Sequence, residues 1–173
     1  MASTNDTPRL RGHLLAAPLH VVLVEPEIPG NTGNIARRCG APGSVLHLIE
    51  PLGFRTDEHA VRRAGLDYWH LVDVRQHKSF DAFLEAMPDL VLHLFATTAE
   101  RSHLDVAYTE GNALVFGKES VGLSDELMTR FSSRLVGIPM PGRVRSLNLS
   151  NSVSIGLYEA LRQLGALSAP KLG

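Results

Sequence analysis

Polar residues that could do chemistry crowd three short segments of the sequence, and the first is EPEIPGNTGNIARR (25–38). Its two prolines and two glycines predict an irregular turn, and Asn31 or Thr32 is the expected N-cap of the helix that follows. On that helix Asn34 and Arg37 lie three residues apart, so they share one face. Taken alone, the segment fits either a ligand site or a capped turn with a surface arginine.

The second and third segments place glycine, serine and asparagine where apolar runs end. In GKESVGL (117–123), Gly117 and Gly122 allow close approach of a ligand to the backbone, or a positive φ. In IPMPGRVRSLNLSNS (138–152), serine and asparagine side chains could satisfy free N–H groups at a helix start or bind a ligand. Ligands of open α/β sheets bind beyond the carboxyl ends of strands, where all three segments are expected.

Several common chemistries lack their motifs. There is no G-x-G-x-x-G after the first apolar run, no P-loop, no H-E-x-x-H and no G-x-S-x-G. The single cysteine, Cys39, has no partner for a disulfide or a zinc site. His20, His47 and His93 fall within strand patterns, where a structural histidine is expected. The sequence therefore predicts no metal site, and dinucleotide-binding and hydrolase classes are disfavoured.

The elements that must position the three segments alternate between strand and helix patterns. Strands are predicted at 20–25, 44–49, 69–74, 90–95, 113–117 and 134–138, and helices at 33–41, 57–65, 79–87 and 124–131. Ser79 and Ser124 are the expected N-caps of the last two helices. Continuous apolar runs are typical of strands covered on both faces. We therefore expect one α/β domain with a mostly parallel sheet flanked by helices.

A last helix is predicted from Ser150 to Leu164, and Gly165 supplies its C-terminal stop. Its apolar residues form one stripe: Val153, Leu157, Ala160, Leu161 and Leu164. Such a stripe must be buried, either in the core of the chain or against a second copy of it.

Composition sets the remaining limits. No apolar run approaches the roughly 20 residues that cross a bilayer, and residues 1–17 resemble a disordered leader rather than a signal peptide. The folded domain is expected at 18–166, with a flexible tail at 167–173, in the cytoplasm. A net charge of −1 argues mildly against RNA binding, but arginines cluster locally. These clusters comprise Arg37, Arg38, Arg62, Arg63, Arg143 and Arg145.

Together, in this order and spacing, the three segments resemble the three motifs of the SPOUT class of RNA 2′-O-methyltransferases. The match covers residues 19–165. The stretch RRAGLDY (62–68) narrows the resemblance to the tRNA (cytidine/uridine-34-2′-O)-methyltransferases, which modify the wobble nucleotide. The resemblance implies a C-terminal trefoil knot, a rare exception to unknotted connections.

The resemblance also implies S-adenosyl-L-methionine (SAM) as a consumed co-substrate, with no metal. Its implied contacts are Ala96, Thr97, Gly117, Ile138, Ser146, Leu147 and Ser152. The matching catalytic residue is Arg37. A guanidinium hardly loses a proton in proteins, so we expect Arg37 to hold the ribose hydroxyl and stabilise the alkoxide while a phosphate or water takes the proton.

Other roles follow from the same resemblance. Asn34 and Glu119 are expected to position Arg37, and Asn148 and Asn151 to shape the last loop. Tyr158 is expected near the interface of a homodimer, so that a monomer would be inactive. The expected tRNA contacts are Arg38, Arg62, Arg63, Arg143 and Arg145.

Three alternatives stay open from the sequence. The same transfer could act on another RNA such as ribosomal RNA, although relatives of that type commonly carry an extra N-terminal RNA-binding domain. The chain could also be a catalytically silent RNA-binding or SAM-sensing dimer, or a small-molecule enzyme on a Rossmann-like sheet. Retention of Arg37 argues against the silent dimer, and the missing glycine fingerprint argues against the last alternative.

Overall fold

A computed structural model of the chain describes residues 12–56 and 69–168, which form one parallel sheet with helices on both faces. The strands are β1 His20–Val24, β2 Val45–Ile49, β3 Val74–His77, β4 Leu92–Phe95, β5 Ala113–Phe116 and β6 Leu135–Val136. Their order is β3-β2-β1-β5-β4-β6, and every neighbouring pair is parallel. The predicted α/β fold with a parallel sheet is confirmed.

In the described part of the chain, four α-helices flank the sheet: α1 Pro29–Gly40, α2 Phe80–Ala86, α3 Asp125–Arg130 and α4 Leu149–Gln163. The predicted caps of α2 and α3 are confirmed, because Ser79 accepts from the N–H of Ala82 and Ser124 from that of Leu127. Three short 3₁₀ helices lie at Trp69–Leu71, His103–Asp105 and Ser132–Arg134. Helix α4 is followed by Gly165 with φ of 73°, the predicted stop.

Helix α1 begins at Pro29, four residues before the predicted start at residue 33. The predicted cap is therefore wrong: Asn31 and Thr32 lie inside the first turn, and the N-cap residue is Ile28, whose side chain makes no capping bond. Proline suits the first helical position because its φ is already helical and its missing N–H would be unpaired there anyway.

The strand predicted at 69–74 is also wrong. The chain forms a 3₁₀ turn at Trp69–Leu71, and the strand comes later, at Val74–His77. Trp69 and Val72 instead pack against the core as parts of a turn. The true strand is polar because it lies at the sheet edge, where little of it is buried. The helix predicted at 57–65 lies outside the described residues.

The core has one layer on each face of the sheet. Helices α1 and α4 cover one face, with Ile35 and Leu157 packed on Leu114. Helices α2 and α3 cover the other, through Phe83 and Leu127. The apolar stripe of α4 is buried in this core, so it needs no second chain to cover it; its buried members are Val153, Leu157, Ala160 and Leu161.

Part of the expected leader packs against the domain. The N–H of His13 donates to the carbonyl of Ala166 at 3.0 Å, and the N–H of Ala17 donates to Glu110 at 2.9 Å. Leu15 packs against the core. The rest of the predicted leader (1–11) and most of the tail (169–173) lie outside the described residues. In the described part of the chain, no helix is both long and apolar enough to cross a membrane.

Candidate active site

A cavity of about 600 Å³ lies beyond the carboxyl ends of β4, β5 and β6, bounded by the first turn of α4. All seven residues predicted to bind the co-substrate line it: Ala96, Thr97, Gly117, Ile138, Ser146, Leu147 and Ser152. Phe95 and Phe116 also line it, with ring centroids 4.5 Å apart. Helix α4 approaches this pair closely, since a Cβ at Gly156 would lie 2.7 Å from the Phe95 ring.

The loop after β5 folds back on itself along the cavity. Lys118 and Gly122 pair through backbone hydrogen bonds of 2.9 and 3.2 Å. A Cβ on Gly117 would overlap the backbone of Gly122 and Leu123, so only glycine fits there. The positive φ belongs to Gly122, at 75°, and not to Gly117. The backbone that approaches Gly117 closely is thus that of its own loop, at Gly122 and Leu123.

Glu119 ties this loop to the start of α1. Its carboxylate accepts from the N–H of Glu27 at 2.7 Å, from the N–H of Ile28 at 3.2 Å and from the Asn31 amide at 3.1 Å. A negative charge at this end of a helix is favourable, because the free N–H groups there carry positive charge. Glu119 thereby holds the start of the helix on which Asn34 and Arg37 lie.

Asn31 joins all three segments, and sequence reasoning missed it. Its Nδ2 donates to Glu119, while its Oδ1 accepts from the Asn148 amide at 3.2 Å. Asn148 in turn caps α4, accepting from the N–H groups of Ser150 and Asn151 at 2.9 and 3.4 Å. An amide is suited to this position because it donates and accepts at once.

The predicted catalytic side chains lie further along α1. Asn34 and Arg37 are both exposed on the same face of the helix, as their spacing predicted, whereas Arg38 is half-buried. Neither Asn34 nor Arg37 belongs to the cavity lining that the described residues form. The structure therefore separates the cavity from the exposed helix face that carries Asn34 and Arg37, and α1 connects the two.

The remaining predicted residues are distributed around this region. Arg145 lines the cavity and Arg143 is exposed nearby in sequence, while Arg62 and Arg63 lie outside the described residues. Tyr158 is 45% exposed, and Ile155, three residues earlier on α4, is 39% exposed. This pair is the apolar part of α4 that the core leaves uncovered.

Two chemistries are disfavoured by the described residues. No group of three or more His, Cys, Asp or Glu side chains among them could hold a metal ion. The thiol of Cys39 is buried, and burial raises its pKa to about 12, so it stays protonated and is a poor nucleophile near neutral pH.

Comparison with known proteins identifies the family. The SpoU rRNA methylase family matches residues 18–158. The chain belongs to this family. The resemblance drawn from the three segments is thereby confirmed, and the cavity described above is the cavity of a SpoU-family protein.

Relatives of this SpoU-family chain include the tRNA (cytidine(34)-2′-O)-methyltransferase of Escherichia coli K12, which is 46% identical over 148 residues, 85% of this chain and 94% of the relative. A solved structure concerning 2-OH methylation of C/U34 on tRNA is 50% identical, with a TM-score of 0.81, covering 86% of this chain and 97% of that one. The AdoMet-bound rRNA methyltransferase from Sinorhizobium meliloti is 25% identical, with a TM-score of 0.72, covering 88% and 59%.

Proposed function

We propose that this protein transfers the methyl group of SAM to the ribose 2′-hydroxyl of the wobble nucleotide, cytidine or uridine 34, of tRNA. The observation that carries the proposal is that one cavity gathers all seven residues expected to bind SAM, from positions 96–97, 117 and 138–152 of the sequence. The relatives named for this reaction, at 46–50% identity over most of their length, support the substrate.

The cavity fits the co-substrate in size and chemistry. Its volume of about 600 Å³ lies in the usual range for small-molecule sites. Apolar side chains such as Ile138 and Leu147 can cover an adenine ring and its ribose, while backbone groups beside Gly117 and the hydroxyl of Ser146 offer polar contacts. When bound, SAM supplies an electrophilic methyl group on sulfur.

Arg37 has the catalytic role in this proposal. Transfer breaks the methyl–sulfur bond, forms a methyl–oxygen bond and releases the hydroxyl proton. A guanidinium donates several hydrogen bonds but hardly accepts a proton, so Arg37 would orient the hydroxyl and stabilise the negative charge on its oxygen. A phosphate of the RNA or a water takes the proton. Asn34 and Glu119 would hold Arg37 in place, the latter through the start of α1.

We propose that the chain has the C-terminal trefoil knot and forms the homodimer that the resemblance implies. The chain leaves β6 at one edge of the sheet and returns to its middle, where α4 packs on α1 and β5. Segment 137–148 makes this return along the cavity, which supports a C-terminal trefoil knot. The exposed pair Ile155 and Tyr158 supports a homodimer formed through α4. We take the enzyme to act in the cytoplasm, where tRNA is found, and to need no metal because SAM itself supplies the activated methyl group.

The RNA contacts are assigned to arginines around the cavity mouth. Arg143 and Arg145 are exposed in the segment before α4, and Arg38 follows the catalytic arginine on α1. Arg62 and Arg63 complete the proposed set from the sequence alone. Phosphate contacts of this kind orient RNA and make its affinity fall with salt.

The same transfer on ribosomal RNA is the second candidate, favoured by the family description and by the Sinorhizobium meliloti neighbour. Both candidates are tested by incubating the purified protein with SAM and either total tRNA or ribosomal RNA, followed by mass spectrometry of nucleosides and fragments. We expect 2′-O-methylation at position 34 of tRNA, and none with an Arg37→Ala control. Methylation of ribosomal RNA alone would overturn the tRNA assignment. SAM binding by calorimetry without any methylation would instead indicate a silent SAM-binding dimer.

A further inference from the structure

Two carboxylates cross between the first and second segments of the cavity wall. Glu119 accepts the backbone N–H of Glu27 at 2.7 Å. In return, the Glu27 carboxylate accepts both the N–H and the hydroxyl of Ser120, each at 3.0 Å. Hydrogen bonds to ionised acceptors are roughly twice as strong as neutral ones, so this reciprocal set holds the two segments in one register. We call Glu27, Glu119 and Ser120 the clamp.

The clamp joins two parts of the cavity wall, the 117–123 loop and the start of α1. On one side, Ser120 and the rest of its loop line the cavity; on the other, Ile28 and Asn31 line it. Ile28 is the N-cap residue of α1, and its own N–H donates to Glu119. A shift of the 117–123 loop is therefore passed directly to the first turn of α1.

The backbone around Glu27 has little freedom to absorb such a shift. Glu25 has a φ of 51°, which is costly for any residue except glycine, and its carboxylate binds Lys118 Nζ at 2.7 Å. Behind the loop, a Cβ at Gly53 would lie 2.7 Å from the Cα of Glu27, and the Gly53 N–H donates to Pro26 at 2.9 Å. Residues 25–28 are thus packed from both sides.

We propose that Glu27 is a positioning residue that couples occupancy of the cavity to the placement of α1, through its two hydrogen bonds from Ser120. The coupling rests on the proposed function, because it takes SAM as the occupant. A co-substrate that contacts the 117–123 loop then fixes the start of α1. The helix face with Asn34 and Arg37 is aligned only when the co-substrate is in place.

The test compares Glu27→Gln with a matched control elsewhere in the chain. Glutamine has the shape of glutamate but no charge and only one acceptor oxygen, so it cannot accept from both the N–H and the hydroxyl of Ser120. Glu110→Gln is the control: the Glu110 carboxylate also accepts one backbone N–H, that of Ala17, across the same separation of 93 residues. Glu110 does not belong to the cavity lining of the described residues. Ser120→Ala, at an exposed position, removes only the hydroxyl bond.

Hydrogen exchange of the full-length protein, with and without SAM, gives the first readout. In the wild type and in Glu110→Gln we expect SAM to slow exchange both at 117–123 and at 28–34. In Glu27→Gln we expect slowing at 117–123 only, and Ser120→Ala should lose part of the effect at 28–34. Slowing at 28–34 that is undiminished in Glu27→Gln and Ser120→Ala would overturn the coupling.

Single-turnover methylation gives the second readout. At saturating SAM and tRNA, Glu27→Gln should be about tenfold slower than wild type, while its SAM affinity changes by less than about threefold. A rate equal to that of Glu110→Gln would overturn the positioning role. In the wild type, SAM protection of 117–123 without 28–34 would overturn the coupling and leave the proposed function standing. No SAM binding at all would overturn the proposed function itself.

Discussion

Two hydrogen-bonded polar networks among the described residues, one within the sheet and one beyond its carboxyl edge, differ in burial and charge. The first is a row of histidines under α2: His20 Nδ1 and His47 Nε2 are 2.8 Å apart, and His47 Nδ1 and His77 Nε2 are 2.9 Å apart. The second is the set of carboxylates and amides that joins Glu27, Glu119, Asn31 and Asn148 at the cavity.

The histidine row is neutral because it is covered. His47 is fully buried, and burial lowers its pKa to about 3, with further lowering by the neighbouring histidines and Arg75. Phe83 packs edge-on against His47 with centroids 5.1 Å apart. A neutral His47 donates through one ring nitrogen and accepts through the other, so the row links β1, β2 and β3 without charge. The structural role that the sequence predicted for His20 and His47 agrees with this geometry.

The cavity network is ionised and lies at loop ends rather than within strands. Its carboxylates accept from backbone N–H groups, and its members join the cavity wall to the start of α1. Both networks are hydrogen-bonded, so hydrogen bonding alone does not mark a functional site. What distinguishes the second network is its place beyond the carboxyl ends of the strands, next to a cavity and a helix start. The comparison predicts that changes to the two networks will damage different properties.

The largest expected effect is at Arg37, on the helix that the cavity network holds. Arg37→Ala should lower the single-turnover methylation rate by about a thousandfold or more, because it removes stabilisation of the alkoxide that forms only in the transition state. SAM affinity, measured by calorimetry, should be nearly unchanged. Arg37→Lys should rescue little, since an ammonium cannot reproduce the planar donor set.

Arg38→Ala is the control for this experiment, because Arg38 is one residue along and half-buried. Its main effect should be a few-fold loss of tRNA affinity. A near-normal rate of Arg37→Ala at saturating tRNA would contradict the catalytic assignment. Arg37 would then be one phosphate contact among several, and Glu119 with the segment from Asn148 to Asn151 would become the next candidates.

The next effect is at Gly117, in the cavity loop. Gly117→Val should abolish measurable SAM binding, about a hundredfold loss or more, because its side chain would overlap Gly122 and Leu123 and force the loop open. Calorimetry measures the affinity, and circular dichroism should show that the sheet is intact. Gly142→Val is the control, since a Cβ at Gly142 meets nothing within 4 Å. Equal SAM affinity of both variants would place the co-substrate elsewhere.

Changes to the histidine row should affect stability and leave binding intact. His47→Ala removes the middle of the row and leaves the facing nitrogens of His20 and His77 without this partner. We expect a loss of about 3 kcal/mol in the free energy of unfolding, from two unpaired polar groups and a cavity. Denaturant unfolding measures this change, with exposed His13→Ala as the control. SAM affinity of the folded variant should match wild type; a large loss would show that the two networks are connected.

The parts of the fold that sequence reasoning predicted depend on local signals. Ser79 and Ser124 cap the helices that follow them, and apolar runs mark the central strands. The edge strand β3 was placed wrongly because its determinant lies elsewhere in the chain, whereas the start of α1 has a local signal, Pro29 at the first helical position, as well as a distant partner. Glu119 accepts from the N-cap residue Ile28 from 91 residues away, and β3 is defined by pairing with β2 rather than by its own pattern.

The site shows the same limit. The three segments and the cavity-lining residues were predictable because their motifs are contiguous in sequence. The junction at Asn31 was not, because its partners lie 88 and 117 residues away and an asparagine near a helix start most simply predicts a cap. The reciprocal hydrogen bonds of the Glu27 and Glu119 carboxylates likewise could not be predicted, because they join loops that are more than 90 residues apart in sequence.

The smallest expected effect is a pH dependence that belongs to the histidine row. The pKa values of His20, His47 and His77 are lowered in the folded protein, chiefly by burial, from an ordinary value of 6.5. At a pH below 6.5, these histidines are protonated in the unfolded chain but stay neutral in the folded chain. The free energy of unfolding therefore falls as the pH drops below 6.5. For His47 alone, with its pKa near 3, the loss between pH 7 and pH 5 should be about 2 kcal/mol.

Measuring this pH dependence in variants of each network shows which network is responsible for it. His47→Gln keeps a donor and an acceptor but does not titrate, so its unfolding free energy should fall less steeply between pH 7 and pH 5 than that of wild type. Glu27→Gln should keep the wild-type slope in that range, because it leaves the histidine row unchanged. Denaturant unfolding at several pH values measures all three slopes. A wild-type slope in His47→Gln would show that other groups, such as buried His93 and His103, carry the acid sensitivity, and that the row is held together by more than the neutrality of its central ring.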